Sequence, residues 1–207
     1  MRSYIHVNIL DLPNNFQGQY QSFSTITRNS LGHALQDSNL KLDDGAAESL
    51  MKAYDSLSTF PDVAPALKTI SEQSNITAVV FSNGTDSMVD TSVKSSPDLG
   101  PYASTFRHLI TVEEIKKFKP CPEVYHHLAD KVGKGKSTEE MGQMWLVSGN
   151  PFDIVGARAM GMKAAWVDRG GNGWSDKLVQ GLVGMPTVIV KDLGEVADAV
   201  ITHAGGQ

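Results

Sequence analysis

The hydrophobic positions of this chain change their period once, near residue 60. Before that point apolar and aromatic residues recur at helical spacing, with Tyr20, Phe23, Thr27, Leu31 and Leu35 on one stripe and Ala47, Leu50, Tyr54 and Leu57 on a second. Asn39 stands where the first helix should stop, and Asp43 or Asp44 can cap the next. No strand pattern separates the two stripes, so they read as a small α-helical lobe. Ahead of them, Tyr4 to Leu10 is apolar and β-prone and reads as a short strand before the turn-like run Asp11-Leu12-Pro13-Asn14-Asn15.

After Phe60-Pro61-Asp62 strands alternate with helices, the pattern of βαβ units and a parallel sheet. Two short unbroken apolar runs, Ile76 to Phe81 and Trp145 to Val147, read as buried strands. Each ends in small polar residues, Ser82-Asn83-Gly84 and Ser148-Gly149-Asn150. The second passes directly into a helical pattern running through Ile154 to Met160 and closing at Gly161, a residue suited to a left-handed cap. A short strand near His108 to Ile110 and the runs Ala164 to Val167 and Thr187 to Val190 complete the strands; helices are expected after Asp62, near Ser87 to Ser95, from Pro122 and around Val196 to Ile201. The fold class is α/β, divided into an N-terminal segment (1–15), a helical cap (16–60) and an α/β core (61–207).

Composition narrows the functional classes. A net charge of -5 gives no basic footprint, which excludes nucleic acid as a partner. The apolar runs are strand-sized and the N-terminus lacks a signal-type core, so no membrane association and a cytoplasmic location are expected. The single cysteine, Cys121, lies between Pro120 and Pro122; it permits no internal disulfide or thiolate cluster and reads as a small loop residue. The six histidines, His6, His33, His108, His126, His127 and His203, show no metal-ligand spacing. The Gly170-Gly171-Asn172-Gly173 run lacks the setting of a dinucleotide fingerprint and reads as a flexible loop.

Ligands of open parallel sheets bind beyond the carboxyl ends of the strands, which is where Ser82-Asn83 and Ser148-Gly149-Asn150 fall. Between them in sequence stands Lys119, braced by Pro120. Hydroxyls and amides at strand ends, beside one cation, suit an anionic group such as a carboxylate or phosphate. Each piece alone is ordinary: Ser-Asn-Gly is a common turn, and Asp153 could simply cap the helix it begins.

The order of the pieces resembles the haloacid dehalogenase superfamily, and within it the 2-haloacid dehalogenases that cleave carbon–halogen bonds. The resemblance runs from Tyr20 to Ile201. It is carried by Phe60-Pro61-Asp62-Val63, Phe81-Ser82-Asn83-Gly84, Phe118-Lys119-Pro120-Cys121-Pro122-Glu123-Val124-Tyr125, Val147-Ser148-Gly149-Asn150-Pro151-Phe152-Asp153 and Ala165-Trp166-Val167-Asp168-Arg169. It implies a Rossmann-like parallel core with a helical cap. It further implies that Ser82 and Asn83 hold the substrate carboxylate or place the nucleophile and that Lys119 stabilises the ionised nucleophile. Tyr125, Ser148, Asn150 and Asp153 would line the pocket and orient water, with Phe152 as an apolar wall. Phosphatase members of the superfamily place an acidic pair in the fourth segment to hold magnesium; Asn150 stands where that pair would begin, so no metal and no cofactor are expected. A small organic acid is the expected partner, with pairing into a homodimer left open.

The family's opening strand, which ends in a nucleophilic aspartate followed by Gly-Thr, has no counterpart here, and Arg28, in the matched cap helix, does not correspond to the family's cap arginine. If Tyr4 to Leu10 fills the central place in the sheet, Asp11 falls near the nucleophile position. Three readings follow. The chain is a hydrolase that attacks through Asp11 or a residue of another subunit; or it reuses the pocket for non-hydrolytic acid–base chemistry on a small organic acid; or it is a non-catalytic binding or dimer-forming module.

Overall fold

A computed structural model describes residues 20–54, 57–177, 179, 181 and 184–204. The strand expected at Tyr4 to Leu10, and Asp11 after it, lie outside the described residues. In chain order the elements are α1 (Phe23–Asp37), α2 (Asp44–Tyr54), α3 (Val63–Ser71), β1 (Ala78–Ser82), α4 (Asp86–Asp90), β2 (Phe106–Thr111), α5 (Pro122–Lys131), α6 (Thr138–Met141), β3 (Trp145–Ser148), α7 (Pro151–Ala159), β4 (Lys163–Val167), β5 (Val188–Val190) and α8 (Val196–Ala204). They fall into two compact units. One runs to Thr59 and takes in Val79 to Phe118; the other holds Phe60 to Ala78 and everything from Lys119 onward.

In the first unit, α1 is capped by Ser22, whose hydroxyl accepts the Thr25 N–H at 3.2 Å, and the chain turns away at Asn39 in the left-handed conformation, φ 54°. Of the two aspartates suited to capping α2, Asp43 does so, accepting the Ala46 N–H at 2.8 Å. Arg28 reaches from α1 to Glu48 on α2, an exposed helix-to-helix pair. The buried Phe118 ring stacks on Tyr20 with centroids 5.2 Å apart and meets Phe23 edge-on at 6.3 Å. β1 pairs with β2. The expectation of a fully buried strand at Ile76 to Phe81 needs correcting, because every residue of β1 is only partly buried. Among the described residues β1 has β2 as its one strand neighbour, so fewer atoms cover it than cover a strand paired on both sides.

The second unit is built on a parallel three-stranded sheet in the order β3-β4-β5. Leu146, Ala164, Ala165, Val167 and Val190 supply its buried side chains, and α7 returns from β3 to β4 by a left-handed turn at Gly161, φ 84°. β3 is the outer strand of the described sheet, and Val147 in its middle is 36% exposed rather than buried as its apolar run suggested.

A latch joins distant parts of this unit. Asp62, just before α3, accepts a bidentate contact from Arg169 beyond β4, at 2.8 to 3.1 Å, and also the Leu193 N–H at 2.9 Å. The guanidinium lies 4.3 Å over the Phe60 ring. The Arg169 contact, helped by the backbone N–H bond, holds the Asp62 carboxyl below its ordinary pKa. The glycine loop after β4, expected to be flexible, is tied by Asp168, whose carboxylate accepts the N–H groups of Asn172 and Gly173 at 3.1 and 2.6 Å.

Candidate active site

The site grows from the carboxyl end of β3. The strand stops at Ser148, whose hydroxyl accepts the Asn150 N–H at 3.0 Å and so folds the chain into a tight turn. That turn aims the chain into α7, with Pro151 at the first helical position, where a missing N–H costs nothing. Asp153 follows in the first turn, where the helix dipole favours a carboxylate. It does not cap the helix. Its Oδ2 accepts the Ser148 hydroxyl at 2.8 Å and faces the Asn150 side-chain amide at 3.5 Å, while Oδ1 faces Lys119 Nζ at 3.0 Å.

Lys119 and Asp153 are each only 7% exposed in their side chains. An ion pair so far from water is held by its partners rather than by solvent, and it keeps a fixed positive and a fixed negative charge in one small space. The end of β1 repeats the same local device: the Ser82 hydroxyl accepts the Gly84 N–H at 2.9 Å. Ser82 is partly buried and Asn83 buried at 9% exposure; both belong to the first unit and are described there.

Tyr125, in the first turn of α5, is fully buried. Burial first, and then the negative charge of Asp153, push its phenol well above the ordinary tyrosine pKa. The phenol is therefore held in its protonated form at neutral pH. Phe152 is half-buried on the first turn of α7, one residue before Asp153. The second unit thus brings together Lys119, Tyr125, Ser148, Asn150 and Asp153 from segments far apart in the chain. Arg28 is engaged with Glu48.

Two features went unread in the sequence. The Asp62–Arg169 latch joins residues more than a hundred positions apart, and neither residue type alone signals it. Gly156 is the other. It is buried in the middle of α7, and a Cβ added there would lie 2.0 Å from the Tyr125 hydroxyl oxygen and 2.9 Å from Pro120 Cβ. Its one sequence signal is that an interior helical glycine is unfavourable unless packing demands it.

A profile for haloacid dehalogenase-like hydrolases matches residues 12–161, most of the chain and the whole of this cluster. The chain belongs to the haloacid dehalogenase-like hydrolases. Haloacetate dehalogenase H-2 of Moraxella sp. (strain B) is 32% identical over 154 residues, which is 74% of this chain and 64% of that protein. (S)-2-haloacid dehalogenase H-109 of Pseudomonas putida is 32% identical over 184 residues, 89% of this chain and 75% of that one. The chain thus spans under two thirds of the Moraxella protein and three quarters of the other. In fold it is similar to the L-2-haloacid dehalogenase of Xanthobacter autotrophicus solved with chloropropionic acid covalently bound, with a TM-score of 0.78, 21% identity, and coverage of 96% of this chain and 84% of that one. The matched span of the family profile opens at residue 12 and leaves Asp11 just outside it.

Proposed function

We propose that this haloacid dehalogenase-like hydrolase removes halide from a small 2-halo acid without a metal ion. The observation that carries the reading is the buried Lys119–Asp153 pair, with Ser148 and Asn150 on the same carboxylate. Supporting it, the two relatives that are 32% identical to the chain over the matched residues are named as haloacetate and (S)-2-haloacid dehalogenases. In the proposed reaction a carboxylate oxygen attacks the carbon that bears the halogen, and the halide leaves with the bonding electrons. An ester joins protein and substrate. A water molecule then gives a proton to Asp153 and attacks the ester carbonyl; the bond to the substrate oxygen breaks, Asp153 returns the proton to that oxygen to release the 2-hydroxy acid, and the attacking carboxyl group loses its own proton to solvent and is a carboxylate again.

Each residue has a part in this scheme. Lys119 stabilises the charge of the attacking carboxylate and of Asp153; Ser148 and Asn150 hold Asp153 in orientation; Tyr125 donates a hydrogen bond; Phe152 presents an apolar wall to the halogen. Ser82 and Asn83 are proposed as donors to the substrate carboxylate, and Asp11 as the attacking residue. The reading is metal-independent because Lys119 already supplies the positive charge that Asp153 would otherwise seek from a cation, and because Asn150 replaces a second acid.

The test is halide release from the two enantiomers of 2-chloropropionate by the wild-type chain, by Asp11→Asn, and by the wild type in a strong chelator. Release by the wild type that survives the chelator and falls to background in Asp11→Asn is expected. No release from either enantiomer overturns the dehalogenase reading; undiminished release by Asp11→Asn removes Asp11 from the mechanism; loss with the chelator, restored by magnesium, overturns metal independence.

A further inference from the structure

Asp153 and Gly156 stand three residues apart on α7, so they share one face of the helix. Across from that face lie the Lys119-Pro120 segment and Tyr125. Lys119 meets Asp153, and the space where a side chain of residue 156 would stand is taken by the Tyr125 hydroxyl and by Pro120. A Cβ at 156 would come within 2.0 Å of the phenol oxygen, 2.8 Å of Tyr125 Cζ and 2.9 Å of Pro120 Cβ. Real Cβ atoms do not approach other atoms so closely, and a fully buried phenol in a packed interior has no free direction in which to retreat.

We infer that Gly156 is a positioning residue: it forms a notch in α7 that seats the Tyr125 hydroxyl one turn along the helix from Asp153. The inference rests on the hydrolytic reading of Asp153 and Tyr125 above. Gly156 touches no substrate. It acts by leaving room, and the same notch limits where the residue after Lys119 can sit. A helix-interior glycine, otherwise inferior to alanine, is thereby explained at this position.

The experiment compares Gly156→Ala in two backgrounds, wild type and Tyr125→Phe. In the wild-type background kcat for halide release should fall about 100-fold, the effect of misplacing a reacting group by an ångström, with KM changed much less. In the Tyr125→Phe background the 2.0 Å approach to the hydroxyl is gone and only the milder approaches to the ring and to Pro120 remain, so the same substitution should cost clearly less. A second readout does not depend on turnover. The unfolding free energy, measured by denaturant titration, should fall clearly more on Gly156→Ala in the wild-type background than in the Tyr125→Phe background. Equal losses of kcat and of unfolding free energy in both backgrounds would overturn the inference and leave Gly156 a packing residue. If Gly156→Ala fails to fold, recovery of folding in the Tyr125→Phe background supports the notch, and failure in both overturns it. If the wild type releases no halide, the hydrolytic reading falls, and the unfolding free energies in the two backgrounds alone decide whether Gly156 seats the phenol.

Discussion

At the scale of residues the site is defined by charges that water does not reach. Lys119 and Asp153 are both almost fully buried at 3.0 Å, so removing either leaves the other charged without compensation. Lys119→Ala should lower the free energy of unfolding by about 3–5 kcal/mol, measured by denaturant titration. Replacing both residues by apolar ones of similar size should recover part of that loss, since the cost lies in the orphaned charge; equal losses in the single and double variants would contradict this. Much of the cluster could be read in advance. Ser148, Asn150 and Asp153 are neighbours in sequence, and a strand end delivers them together. Lys119 was marked by its proline. Gly156 could not be read, because its meaning depends on Tyr125 and Pro120, which only folding brings against it. Nor could the partner of Asp153 be chosen: capping its own helix and pairing with Lys119 fit the same letters.

At the scale of elements, local chemistry was legible where it is local. Asn39, Asp43 and Gly161 act at the helix ends where residue type alone places them. Strand burial was not legible in the same way. An apolar run reports which side chains avoid water, whereas exposure depends on how many neighbours the strand finds, as the partly buried β1 and the exposed Val147 show. The Asp62–Arg169–Leu193 latch connects α3 to the segments after β4 and before α8, and it carries its own pH signature. The native Asp62 carboxyl titrates below its ordinary value, chiefly because Arg169 bonds to the ionised form. Its stabilisation is complete above the unfolded pKa, about 3.9, and is lost as pH falls through the lower folded value. The difference in unfolding free energy between wild type and Asp62→Asn should therefore be flat from about pH 5 to 7 and shrink below about pH 4. A difference that grows on acidification would contradict the assignment.

At the scale of the whole molecule, family membership follows from the order of short segments spread over most of the chain, and the fold agrees with it. That order was readable because each segment ends a strand or opens a helix at the ligand-binding edge of a parallel sheet. The attacking group was not readable, because its candidate Asp11 rested on a short strand expected at Tyr4 to Leu10, and both lie outside the described residues. The central claim is that Asp153, held by Lys119, Ser148 and Asn150, prepares the water that completes hydrolysis. Asp153→Asn retains the size of the side chain and removes its basicity. With excess 2-chloropropionate and a variant whose unfolding transition confirms a native fold, steady-state halide release should drop by about 10²- to 10⁴-fold, the usual contribution of a general base. What remains should be a burst of halide no larger than the protein concentration. Turnover equal to that of the wild type would contradict the account.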